Sequence, residues 1–201
     1  MLLHRSLAEA LGAFTLTLVV ALSLTVPHSI ITPILAALTL GTFVYTIGNL
    51  SGAHLNPAVT IGLCSVRKIS TMDALAYVIA QIAGAAIAML VAKTMLNGIP
   101  QVTAANTLSI GVAEALGTFF LAFGVASVAS GKVHSAASGL TVGLSLLLGI
   151  VIAGYISNGV LNPAVAIGIG SFSPMYILGP IVGGILGAWA QHLLAQEKFK
   201  R

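Results

Sequence analysis

Two pentapeptides occur twice in this chain. Ala8-Glu9-Ala10-Leu11-Gly12 returns as Ala113-Glu114-Ala115-Leu116-Gly117, and Leu55-Asn56-Pro57-Ala58-Val59 returns as Leu161-Asn162-Pro163-Ala164-Val165. The separations are 105 and 106 residues, so the 201 residues divide into two copies of one plan, approximately 1–104 and 105–201, within a single domain. Whatever one half builds, the other builds again.

What each half builds follows from hydropathy. Only 6% of the residues are charged and 58% are hydrophobic, against about 25% charged in an average soluble domain. Such a chain belongs in a bilayer. Six stretches have the roughly 17 to 25 residues that a crossing needs: about Leu7–Val26, Ile34–Leu50, Met72–Met95, Ser109–Ser130, Ala136–Tyr155 and Pro174–Leu194. Breaks fall at Pro27 and Pro33, at Arg67–Ser70, at Asn97–Thr107 and at Gly131–Ser135, all rich in turn formers or charge. The first stretch is read as structure and not as a cleaved leader, because later sequence repeats it.

Three crossings per copy is an odd number, so the two copies lie in opposite membrane orientations, an inverted repeat. With both termini on one side, Arg5, Arg67, Lys68, Lys132, Lys198, Lys200 and Arg201 share that side; only Lys93 does not. The positive-inside rule then puts both termini of a multi-pass cell-membrane protein in the cytoplasm.

Two apolar segments, Ser51–Val66 and Ser157–Ser171, are too short to cross, and each is centred on Asn-Pro-Ala. Asparagine is a strong N-cap and proline favours the first helical position, where its missing N–H is not needed. Each tripeptide therefore starts a helix of about nine residues, roughly 13 Å, or about half the hydrocarbon thickness. Irregular backbone survives at that depth only when buried in protein or lining an aqueous cavity. The two half-helices enter from opposite faces and meet N-terminus to N-terminus near the midplane. Each end is equivalent to about half a positive charge, which disfavours cations there. The amides of Asn56 and Asn162 can cap the helices and still present N–H donors inward, orienting a passing water so that proton relay is interrupted.

Several classes are excluded by the same inventory. Eight scattered basic residues are too few to neutralise many phosphates, so no nucleic-acid partner is expected. Cys64 is the single cysteine, which rules out an intramolecular disulfide and cysteine-rich metal sites. No catalytic constellation, cofactor motif or metal-ligand spacing stands out, and no enzyme activity is expected. Gly179, Gly183 and Gly187, like Gly139 and Gly143, recur every four residues and read as helix-packing faces.

Ser51-Gly52-Ala53-His54-Leu55-Asn56-Pro57-Ala58-Val59-Thr60 resembles the first signature loop of the aquaporin and glycerol-facilitator family, Asn158–Ala164 resembles the second, and Ala113–Phe119 resembles the pattern that opens each repeat. The resemblance covers essentially the whole chain. It implies an all-α membrane protein: an aquaporin-like right-handed bundle of six transmembrane helices plus two re-entrant half-helices. It also implies one pore per subunit and a homotetramer in the lipid bilayer, with Asn56, Pro57, Ala58, Asn162, Pro163 and Ala164 at the pore midplane. Glu9 and Glu114 resemble the family's buried carboxylates that hold re-entrant backbone. His54 is either tied into its loop or a contact of the cytoplasmic vestibule.

One departure stands out. Most members carry an arginine directly after the second Asn-Pro-Ala, at the narrowest point; here that position is Val165. The other constriction positions, carried over by distance from the motifs, fall on Ala36, Ile150 and Gly159. In place of the aspartate common in glycerol-conducting members stands Ala166. Loss of arginine removes donors and a positive charge, and loss of bulky rings widens the passage unless Phe43 or Tyr155 refills it. The expected function is a passive channel for water and small neutral solutes such as glycerol or urea. Two alternatives stay open: a secondary transporter with broken helices, and a weakly conducting structural protein of membrane junctions.

Overall fold

A computed structural model describes residues 2–25, 31–96, 102 and 104–196. The proposed break at Pro27, and Lys198, Lys200 and Arg201 of the tail, lie outside them. The described residues form eight α-helices: α1 (Leu2–Thr25), α2 (Thr32–Ser51), α3 (Pro57–Ser65), α4 (Thr71–Leu96), α5 (Leu108–Ala129), α6 (Ser138–Ala153), α7 (Pro163–Gly168) and α8 (Met175–Leu194). A single 3-10 turn, Ser135–Ala137, leads into α6. Six of the helices are long and apolar enough to cross a membrane. The two short ones, α3 and α7, begin at the two Asn-Pro-Ala tripeptides.

The bundle inverts the side-chain distribution of a soluble protein. Leu7, Leu11, Leu38, Leu75, Leu90, Leu140, Leu144, Leu178 and Leu186 are exposed on its outer surface, facing what is lipid in a membrane, while Glu9 and Glu114 are fully buried. Between lie small residues. Gly179, Gly183 and Gly187 of α8 rest on the backbone of α5 at Gly111, Ala115 and Phe119, and a methyl group at any of them would overlap a carbonyl oxygen. Gly41, Gly139 and Gly143 bring α2 and α6 together in the same way. With no hydrophobic drive between helices in lipid, this backbone-to-backbone fit is what holds the bundle.

The half-helices are docked crosswise. Gly62 of α3 lies against the α8 backbone at Gly184, and Gly168 of α7 lies against Thr17 of α1 and Ala85 of α4. Each half of the sequence therefore grips the re-entrant segment of the other.

Two expectations of length are corrected. The second half-helix has six residues where about nine were expected, because Gly170 adopts a left-handed φ of 73° and the helix ends at Gly168, three residues before Ser171. The first reaches the expected nine and stops just before Arg67, whose φ is 59°. The fifth span ends at Ala153 and not at Tyr155, which stands 91% exposed beyond the helix. Lys93, the base that broke the charge rule, sits in the last turn of α4, where it complements the helix dipole.

Candidate channel pore

Both short helices start in the same way. Asn56 and Asn162 hold extended backbone (φ −152°, ψ 119° and φ −147°, ψ 109°), and each is followed by a proline in the first turn. The Asn56 Oδ1 accepts from the Ala58 N–H at 2.8 Å; the Asn162 Oδ1 accepts from Ala164 at 3.0 Å and from Val165 at 3.4 Å. The caps therefore use the oxygens and leave the nitrogens free. Asn56 Nδ2 donates to the Leu161 carbonyl at 2.8 Å, and Asn162 Nδ2 donates to the Leu55 carbonyl at 3.0 Å. This reciprocal lacing joins the two half-helix ends, and each amide retains a second N–H beyond it.

Backbone of this kind is strained, since Ala53, Leu55 and Leu161 have φ of 50°, 52° and 55°, a region that side chains beyond glycine rarely occupy. Two carboxylates hold it. Glu9 accepts from the Ser51 hydroxyl (2.6 Å), from the N–H groups of His54 (3.0 Å) and Leu55 (2.7 Å), and from Gln81 Nε2 (2.8 Å). Glu114 accepts from the Ser157 hydroxyl (2.8 Å) and from the N–H groups of Val160 (3.0 Å) and Leu161 (2.6 Å). Both serines also accept a loop N–H, from Ala53 and from Gly159.

Sequence reasoning passed over the serines, although each stands five residues before its asparagine. It also missed Gln81 and Thr60, which have no counterpart in the other half and so leave no repeat signal. Gln81 Nε2 donates to Glu9 and, at 3.0 Å, to Thr60 Oγ1, while His54 Nδ1 lies 3.1 Å from the same hydroxyl. The carboxylate fixes the amide with its nitrogen inward, so the threonine oxygen is an acceptor there, and Thr60 links Gln81 to the imidazole of His54. Tyr77 closes the cluster, its ring edge-on to His54 at 5.4 Å and its hydroxyl donating to the Ser51 carbonyl at 2.9 Å.

A cavity of about 140 Å³ runs between α1, α2, α5 and α6 to the asparagine pair. Of the sequence-derived site residues, Ala36, Ile150, Gly159, Val165, His54, Asn56 and Asn162 all border it. Pro57, Ala58, Pro163 and Ala164 are buried in the first turns behind the asparagines. Phe43 packs against the hydrophobic core and Tyr155 points away, so neither refills the passage. The described wall carries no acidic or permanently charged side chain.

An all-helical, multi-pass membrane bundle whose inverted halves join two half-helix ends beside such a cavity is the architecture of a membrane channel and not of an enzyme. The chain belongs to the major intrinsic protein family, whose sequence pattern matches residues 2–191, and its activity is accordingly passive conduction of water or small solutes. It is 33% identical to Nodulin-26 of Glycine max over 96% of this chain and 78% of that one. It is 34% identical to Aquaporin NIP1-1 of Zea mays over 75% of this chain, spanning 58% of that relative's length. The solved structure of the Plasmodium falciparum aquaglyceroporin shares the fold, with a TM-score of 0.67, 22% identity, and coverage of 98% of this chain and 96% of that one.

Proposed function

We propose that this chain conducts water and small neutral solutes down their gradients through the cavity at Asn56 and Asn162, and rejects cations at the opposed ends of α3 and α7. The observation that carries the reading is the reciprocal lacing of the two asparagines, which places two positive helix ends and two spare amide donors beside one uncharged passage. A neutral molecule meets donors there; a cation meets two positive helix ends and no acidic side chain on the described cavity wall. Ala36, Ile150, Gly159 and Val165 form the constriction, and His54 faces the vestibule on the α3 side. The basic residues put both termini in the cytoplasm of a cell-membrane protein, and the family resemblance carries the homotetramer.

Stopped-flow swelling of proteoliposomes, run beside a proton-leak assay, tests this. Purified protein is expected to raise water permeability well above that of empty vesicles while proton leak stays low. No rise for water or for any small neutral solute would remove the channel reading. Asn56→Asp isolates the electrostatic part. The aspartate keeps an acceptor for the Ala58 N–H and so keeps the cap, but it loses the donor to Leu161 and sets a negative charge between the helix ends. Proton and potassium leak are expected to rise by roughly tenfold or more, with water permeability little changed. A leak as low as that of the wild type would show that cations are stopped elsewhere.

A further inference from the structure

Building on the channel reading above, we propose that the α7 half of the pore selects solutes by the number of hydrogen-bond acceptors they must desolvate, favouring small neutral molecules with one or two hydroxyl groups over polyols of the same width. The side chains of Ala36, Ile150, Gly159 and Val165 contain no polar atom, and all four border the cavity. The loop beside them is equally short of donors. The Asn158 N–H is given to the Tyr176 hydroxyl at 3.0 Å, that of Gly159 to Ser157 Oγ at 3.0 Å, and those of Val160 and Leu161 to the two oxygens of Glu114 at 3.0 and 2.6 Å.

The carboxylate that shapes the loop therefore also empties it of donors. What its backbone retains are carbonyl oxygens, which meet a solute's hydroxyl protons but not its oxygens. Along this stretch a solute oxygen finds no N–H or O–H on Ala36, Ile150, Gly159 or Val165; the Thr32 hydroxyl, which accepts from Ser23 at 3.0 Å, borders the cavity only at the start of α2. Water in single file keeps its neighbours as partners. A polyol that fills the bore does not, and each uncompensated hydroxyl oxygen slows passage by roughly tenfold. Width alone does not produce this ranking, because diols and triols on one carbon chain have similar cross-sections.

Glycerol and 1,3-propanediol share a three-carbon chain and differ by one hydroxyl, so they separate the two effects. The quantity to measure is the protein-dependent increment in permeability over protein-free vesicles, with water measured in the same preparation. Wild-type protein is expected to favour the diol over glycerol by roughly tenfold in that increment. Val165→Thr, which keeps the side-chain shape and adds one hydroxyl donor, is expected to narrow the ratio to about threefold or less. Val165→Ala, which widens the passage without adding a donor, is expected to raise both increments and leave their ratio in place. A wild-type ratio near one, with water and both solutes conducted, would overturn the selection rule and leave the channel standing. So would a ratio moved as far by alanine as by threonine. Absence of any increment, for water as for both solutes, would remove the channel reading and this inference together.

Discussion

Glu9→Leu is expected to leave almost no folded protein. The carboxylate is fully buried and takes four hydrogen bonds at 2.6 to 3.0 Å, two of them from the backbone of a segment held at left-handed φ. Each bond to a charged acceptor contributes about 1.5–3 kcal/mol, and each buried donor left without a partner costs about 1–3 kcal/mol. A domain's net stability is about 5–15 kcal/mol, so losing the partners of all four donors is comparable with the whole of it. Leucine matches the volume but offers no acceptor to Gln81 or to the loop before α3. Glu9→Gln keeps one oxygen and is expected to fall between, since its nitrogen must face a donor on one side. Glu114→Leu strands three donors where Glu9→Leu strands four and is expected to be the milder change. The measurement is the yield of monodisperse protein in detergent and its melting temperature. A Glu9→Leu protein that melts with the wild type would mean the loop is held by packing alone, and the carboxylate would lose the role given to it here.

The contrast between the two carboxylates shows what the sequence carries and what it hides. Local chemistry was legible: asparagine before proline specifies a helix start, and both starts lie where the tripeptides are. The topology was legible because one plan is written twice, with serine five residues before asparagine in each copy and the acid-to-serine spacing differing by a single residue. Gln81 and Thr60 were not, because they belong to one copy only, and a glutamine inside an apolar helix gives no sign of which carboxylate it reaches. The bounds of α7 were misjudged for a related reason. Gly170 lies in a stretch as apolar as its neighbours, and only its left-handed conformation, set by the turn toward Ser171, ends the helix early. Distances along the chain brought Ala36, Ile150, Gly159 and Val165 to one cavity, yet said nothing of where rings point. Phe43 lies only seven residues from Ala36, and still packs into the core.

Val165→Arg is expected to change permeation more than any other single substitution, lowering solute flux by narrowing the bore and ion leak by its charge. Val165 borders a cavity of only about 140 Å³ and is almost fully buried, so a longer side chain has nowhere to go but along the bore. Glycerol and 1,3-propanediol permeability is expected to fall by at least tenfold. Water loses less, because a single file tolerates a narrower passage and the guanidinium N–H groups supply donors that the wild-type constriction lacks. For cations the fixed charge dominates. Two unit charges about 5 Å apart at an effective dielectric of about 20 repel by about 3 kcal/mol, roughly a hundredfold in rate. Any proton or potassium leak of the wild type is expected to drop accordingly, less as ionic strength rises. The protein bears a cost, since Glu114 is already committed to the loop and leaves the new cation to be solvated by pore water alone; a modest loss of thermal stability is expected. Narrowing without charge would lower every permeant together, and charge without narrowing would lower cations only. A fall in polyol flux joined to a fall in leak, with water the least affected, therefore identifies position 165 as the point where width and charge act on the same file. Unchanged solute-to-water ratios would move the narrowest point away from Val165, toward the asparagine pair, where the helix ends already supply the positive potential.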